Sequence, residues 1–150
     1  MKTFGKVMLA GCTILVLLLV AGIVASVWYF RAHKDEFVSS AKRVRAEGIA
    51  AGGQLTEAQC VDKALSRYLG ERGIVGGVRS RVWLSGCLTT SRPTENFCAG
   101  VPPDGEITQS AMWRVAQCQA RGFTGDSTCP NILAAVQEHC APGKASGGRP

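Results

Sequence analysis

The chain has 150 residues, 17 Lys and Arg against 11 Asp and Glu, a formal net charge of +6, and 46% hydrophobic residues. That length normally means one domain. The cations Arg67, Arg72, Arg79, Arg81, Arg92, Arg114 and Arg121 stand scattered among acids and apolar residues. Scattered cations without interleaved aromatics are solvated helix faces, which excludes nucleic acid as the expected partner.

Residues 1–6 are a short tail, and residues 7–30 then carry no charged side chain. A helix needs about 20 apolar residues to cross the hydrocarbon core of a bilayer. The stretch Ile14–Val20, "ILVLLLV", supplies its centre, and Trp28 and Tyr29 stand at the far end, where amphipathic rings favour the interface. Residues 7–30 are therefore expected to be a membrane-spanning signal anchor in contact with lipid. The pairs Ala21/Ala25 and Gly22/Ser26 have small-xxx-small spacing, a candidate surface for association with a second copy.

Two competitors exist for this segment. "LAGC", Leu9–Cys12, resembles the lipobox at which bacterial lipoproteins are cleaved and acylated, which would make Cys12 a lipidation site. Only Val7–Gly11 separates Lys6 from Cys12, shorter than the roughly 7–15 apolar residues of a signal peptide, and the apolar run continues long past Cys12. "VAS", Val24–Ser26, could serve as a cleavage site, but Trp28, Tyr29 and Phe30 prolong the apolar character beyond it. An uncleaved anchor is preferred, with Cys12 a small apolar residue within it.

Seven cysteines are present: Cys12, Cys60, Cys87, Cys98, Cys118, Cys129 and Cys140. Six lie beyond the apolar stretch, an even number, and in a short exported domain this reads as three disulfides. The spacing lacks C-x-x-C, the usual mark of a zinc knuckle or thiol-redox pair. Charge and cysteines conflict over orientation. Arg31, Lys34, Lys42, Arg43 and Arg45 outnumber Lys2 and Lys6, which by the positive-inside rule places the C-terminal part in the cytoplasm. Structural disulfides are rare in a reducing cytosol. The cysteines are given precedence, so the domain is expected in the bacterial periplasm, attached to the inner membrane.

Residues 31–53 read as a helical stalk or linker with a thin stripe of Phe37, Ala41 and Val44, ended by "AGG" at Ala51–Gly53. Residues 54–141 read as an all-α, four-helix, cysteine-rich domain. The first helix is capped by Thr56 with Gln59 completing a capping box, and Cys60, Val61, Ala64, Leu65, Tyr68 and Leu69 share a face up to Gly70. The second runs from about Gly77 to Leu88; Val78, Val82, Trp83, Leu84 and Leu88 fall on several sides, as in a central helix. Arg92–Glu106 is a loop, broken by prolines and glycines. The third helix carries Ile107, Ala111, Val115 and Cys118 on one stripe, with Gly122 as its C-cap. The fourth starts where Ser127 or Thr128 can cap and Pro130 fits the first turn, with Cys129, Ile132, Leu133, Val136 and Cys140 inward. Residues 142–150 read as a disordered tail.

In an antiparallel hairpin, residues equally far from the turn lie level. Cys60 lies as far before Gly70 as Cys87 lies after Gly77, and Cys118 as far before Gly122 as Cys129 after Gly125. Cys140 is then level with position 107, beside the loop that carries Cys98. The spacing predicts Cys60–Cys87, Cys118–Cys129 and Cys98–Cys140, with a local Cys87–Cys98 bridge as the rival. Each is expected to contribute about 2–4 kcal/mol.

Catalytic chemistry finds little footing. His33 and His139 are far apart in sequence; Glu57, Asp62, Asp104 and Glu106 form no pair at a diagnostic spacing; "GIVGG", Gly73–Gly77, lacks the Lys-Ser/Thr of a phosphate loop. No catalytic residue, metal or cofactor is expected. The expected function is a non-enzymatic protein-interaction module, an inhibitor or accessory subunit of an envelope complex, with Phe97, Val101, Trp83 and Trp113 as candidate contact residues. The alternatives are a thiol-redox or metal-binding envelope protein, or a lipoprotein acylated at Cys12.

Overall fold

The computed structural model describes residues 2–103 and 105–141; the side chains of 2–15, 30, 32–35 and 37 are not among those described. The expectations placed on Cys12, His33, Phe37, Asp104 and the tail 142–150 therefore lie outside the described residues. Among the described residues five α-helices follow one another: α1 Lys2–Gly52, α2 Glu57–Gly70, α3 Ile74–Thr90, α4 Ile107–Ala120 and α5 Cys129–Cys140. Among the described residues there is no strand, and Thr56 and Arg92 form an isolated bridge. The chain divides into two compact units, Met1–Ser40 and Ala41–Pro150.

In the first unit the described side chains from Val16 to Tyr29 are all exposed, Leu17, Leu18 and Trp28 by 67%, 68% and 73%. The Ser26 hydroxyl donates to the Gly22 carbonyl of its own helix (2.8 Å). Among the described residues no helix is long and apolar enough to cross a membrane. The segment expected to do so begins at residue 7, and the side chains of its positions 7–15 are not among those described.

The second unit is built on α3. Helix α2 packs antiparallel to it, and its N-terminus shows both halves of the expected capping box: Thr56 Oγ1 accepts from the Gln59 N–H (3.3 Å), and Gln59 Oε1 accepts from the Thr56 N–H (2.9 Å). Cys60, Val61, Ala64, Leu65 and Tyr68 turn inward as their spacing requires. Leu69 does not; it is half exposed. Helix α5 covers the other side of α3 with Cys129, Ile132, Leu133, Ala135 and Val136.

Two departures from the sequence reading concern helix ends. Helix α3 starts three residues earlier than expected, at Ile74, with Gly76 and Gly77 buried inside it. The compact unit also begins earlier, at Ala41 rather than after Gly53. The reason is a seam between the last turns of α1 and the end of α3. A Cβ on Gly48 would strike the Trp83 carbonyl, and one on Gly86 would strike the Arg45 carbonyl. The absent side chains let the two backbones touch, so residues read as a linker form part of the fold. Thr90 Oγ1 donates to the Ile49 carbonyl (2.7 Å) and Arg45 donates to Ser85 Oγ (3.1 Å) across the same seam. Contacts advance together along both helices, so α1 and α3 run parallel there.

The three bridges are Cys60–Cys87, Cys98–Cys140 and Cys118–Cys129, with Cα separations of 5.9, 5.4 and 6.1 Å. All lie within the 4.4–6.8 Å that a disulfide accepts, and they are the pairs that the hairpin levels select. Helix α4 ends in a Schellman motif: Gly122 (φ 84°) donates to the Gln119 carbonyl (3.0 Å) and Phe123 to the Cys118 carbonyl (2.9 Å). Phe123, thus turned inward, is buried beside Tyr68 at a ring separation of 6.1 Å.

Helix α4 itself is a correction. The stripe Ile107, Ala111, Val115 faces water, with Ile107 81% and Val115 43% exposed, while Ser110 and Cys118 are the residues it buries. One disulfide and the Ser110 hydroxyl's bond to the Pro103 carbonyl (3.4 Å) hold the other face to α5 and the loop.

Candidate functional site

Of the residues expected as contacts, Trp83 is buried, and Phe97, Val101 and Trp113 are half-buried. Trp83 is 2% exposed, and the Arg67 guanidinium lies 5.3 Å from its ring centroid, a cation–π contact. Phe97, Val101 and Trp113 are partly buried and pack against the same core as Trp83. Among the described residues of the second unit, the large apolar side chains that face water are Ile49 on α1, Ile107, Met112 and Val115 on α4, and Leu69, Ile74, Val75 and Val78 around the turn between α2 and α3.

A polar cluster joins the start of α2, the proline-rich loop and the end of α5. Glu57 Oε1 lies 2.7 Å from His139 Nε2, and Glu57 Oε2 accepts from the Thr94 N–H (2.7 Å). Thr94 Oγ1 in turn accepts from the Ala58 N–H (3.2 Å), relieving one of the donors left unpaired at a helix start. A carboxylate here also meets the positive end of the α2 dipole. Phe97 places its ring against that of His139, edge to face at 6.1 Å and 70°. The cluster sits beside the Cys98–Cys140 bridge.

Sequence inspection left Glu57 and His139 unpaired, because 82 positions separate them. A carboxylate that orients an imidazole can prepare a general base. Here Nε2 meets the carboxylate, and both carboxylate oxygens are engaged within the protein. What the arrangement does is fasten the loop: Glu57 and Thr94 hold its start, the disulfide its middle, and Gln137 Nε2, donating to the Pro102 carbonyl (3.3 Å), its later part.

A second fastening lies at the opposite end of the bundle. Asp126 Oδ1 accepts from the Thr128 and Cys129 N–H groups at the start of α5 (2.8 and 3.0 Å), and the Tyr68 hydroxyl donates to the same carboxylate (2.9 Å to Oδ2). Burial works to raise the Asp126 pKa. The Cys129 and Thr128 amides, the Tyr68 hydroxyl and the Arg72 charge outweigh it and hold the carboxyl below its ordinary 3.8. Ser127 and Thr128, read from sequence as the cap, make no side-chain cap bond. "TGDST" does contain the signal, since Asp readily bonds the backbone amides two and three residues on.

Between α3, α4 and α5 lies a half-open groove of about 230 Å³, lined by Arg81, Ile107, Ser110, Arg114, Gln137 and Glu138. It falls short of the roughly 300–1,000 Å³ of small-molecule sites, and its facing charges, Arg81 and Glu138, are paired with each other. Among the described residues no group of three His, Cys, Asp or Glu side chains is placed to hold a metal ion. No buried side-chain polar atom among them lacks a hydrogen-bond partner. No family model matches the chain, and no curated protein or solved structure matches it either.

Proposed function

We propose that this is a single-pass membrane protein of the bacterial envelope whose disulfide-stapled helical unit lies on the oxidising side and binds a protein partner through the outer face of α4. The observation that carries the reading is the set of three bridges within one small unit, in a chain whose sequence carries no charged side chain over residues 7–30. Cys60, Cys87, Cys118 and Cys129 are at most 1% exposed. Buried cross-links of this kind stabilise a small fold; exchanging thiols need access to solvent. The exposed run Val16–Trp28 supports the anchor, since an apolar surface of that length favours a cover other than water.

The α4 face supports the partner half of the reading. Met112 is 66% exposed and shares the outer side of the helix with Ala111 and Val115. Residues three and four apart on a helix form one ridge, the form in which an apolar groove or a second helix receives it. A module without enzymatic chemistry, acting as an inhibitor or an accessory subunit of a larger assembly, fits such a surface.

The test places a photo-crosslinking residue at Met112 in cells and a second at Lys63 on the exposed side of α2. The same strain carries a C-terminal reporter enzyme that folds only where disulfides form. The proposal expects an active reporter and a discrete adduct from position 112 alone. An inactive reporter would place the unit in the cytosol. Equal adducts, or none, would remove α4 as the partner surface.

A further inference from the structure

The three bridges differ in their access to solvent. Cys60, Cys87, Cys118 and Cys129 lie within the core. Cys98 and Cys140 are each half-buried, and Glu95, Asn96, Ala99 and Gly100, on either side of Cys98 in the chain, are exposed. Exchange requires an incoming thiolate to reach a bridge sulfur directly. A bridge at the surface can therefore exchange while the fold stays closed, whereas an enclosed one waits for the unit to open.

The segment this bridge holds has few other ties. Its backbone bonds are local: the Phe97 N–H donates to the Thr94 carbonyl (3.1 Å), Ala99 to Asn96 (2.9 Å) and Val101 to Cys98 (3.3 Å). Among the described residues, 95–101 is joined to the rest of the unit by the bridge and by the side chains of Phe97 and Val101 against the core. Both flanks are fixed without the bridge. The Arg92 N–H donates to the Leu55 carbonyl (2.9 Å), and the Arg92 carbonyl accepts from the Glu57 N–H (3.0 Å). Thr94 is held by Glu57 and Ala58, and Pro102 by Gln137.

The helices likewise keep their own fastenings. Cys60–Cys87 joins α2 to α3, and Cys118–Cys129 joins α4 to α5. The Glu57–His139 pair ties the end of α5, and with it Cys140, to the start of α2. Opening Cys98–Cys140 thus frees a turn and leaves the partner cysteine where it was, ready for the bridge to close again.

We propose that Cys98–Cys140 is a reversible thiol-exchange site, opened by an external dithiol while the two buried bridges stay closed, and that its opening releases residues 95–101 from the end of α5. A thiolate of the dithiol attacks one bridge sulfur, and a mixed disulfide forms as the Cys98–Cys140 bond breaks. The departing sulfur keeps the electron pair and takes a proton from water. The second thiolate of the dithiol then attacks the dithiol's own sulfur in the mixed disulfide, and the remaining cysteine leaves and is protonated in the same way. The bridge gains two electrons and the dithiol departs as a disulfide. The inference goes beyond the anchored, partner-binding reading and uses the folded unit alone.

The experiment exposes the full chain with Cys12→Ser, in detergent, to dithiothreitol for increasing times, then alkylates it and maps the labelled peptides. The inference expects Cys98 and Cys140 to become labelled at least about tenfold faster than the other four cysteines, with the helical circular dichroism unchanged. Hydrogen exchange then speeds up over 95–101 and not in α2, α3 or α5, and oxidised glutathione recloses the bridge and reverses the change. A variant with Cys98→Ser and Cys140→Ser, which fixes the open form, folds with both remaining bridges and shows the same exchange pattern. Labelling of all six cysteines at one rate, or of a buried pair first, overturns the inference. Loss of helical signal as the pair opens, or a double variant that does not fold, makes the bridge a structural staple and overturns it too. Unchanged exchange over 95–101, or a pair that does not reclose, removes the reversible release. None of these outcomes alters the reporter activity or the Met112 adduct, so the two proposals fail separately.

Discussion

Helices α3 and α4 carry comparable shares of apolar residues, yet they hold opposite positions in the fold. Helix α3 is enclosed by α1, α2 and α5 and buries Gly76, Gly77, Ser80, Trp83, Leu84, Gly86, Cys87 and Leu88. Helix α4 buries Ser110 and Cys118 and leaves Ile107, Met112 and Val115 in water. The small residues of α3 are what allow three neighbours to approach it; among the described residues the larger aliphatics of α4 face water. Which residues form the core is thus decided by how many backbones can come close, more than by apolarity alone. The surplus apolar residues are then free for contacts outside the fold.

The contrast can be broken by mutation, and the largest effect belongs to the core of α3. Leu84 is fully buried, so Leu84→Ala is expected to destabilise the unit by about 2–5 kcal/mol, read as a fall in the thermal midpoint with the disulfides intact. Next comes the α1–α3 seam. Gly86→Ala should cost about 1–3 kcal/mol, because the added methyl meets the Arg45 backbone, which cannot move without shifting the helix. A neutral result there would show that the last turns of α1 are not part of the folded unit.

Asp126→Asn is expected to cost about 0.5–2 kcal/mol, the range for losing a helix-start acceptor. Its folded pKa is held below the ordinary value. Its contribution is therefore complete above about pH 4 and disappears as the pH falls through the depressed folded value. The parent should lose stability in acid more steeply than the Asn variant, and parallel acid limbs would contradict the assignment. Met112→Ala comes last, within about 0.5 kcal/mol of the parent, since its side chain leans on solvent. Hydrogen exchange sharpens the same comparison: α3 amides should exchange more slowly than α4 amides, by way of global opening in α3 and local opening in α4.

What was legible in the sequence was local or symmetric. The Thr56–Gln59 capping box needs a few residues, and the bridge pairing needs two turns and the regular rise of a helix. The seam was hidden because Gly48, Gly52 and Gly86 look like interruptions; only the neighbouring backbone reveals them as contacts. The α4 stripe shows why periodicity names a face without naming its direction: Ile107, Ala111 and Val115 share a side, and nothing in their spacing says that no helix lies opposite. Glu57 and His139 were missed because their meeting depends on where the loop carrying Thr94 and Cys98 crosses the end of α5. Trp83 is buried in the core, while Phe97 and Trp113 pack against it with part of their rings in solvent, a division that an aromatic residue type does not reveal by itself.

The central claim is that a stapled unit stands outside the reducing compartment on an intact anchor. Its most direct test is the intact mass of protein extracted from membranes, with thiols alkylated before and after reduction. The account predicts a chain that retains its apolar stretch, with one of its seven cysteines open to alkylation before reduction and all seven after. A chain starting at Cys12 with added acyl mass would replace the anchor with a lipid, and seven open thiols before reduction would contradict the stapled, exported unit itself.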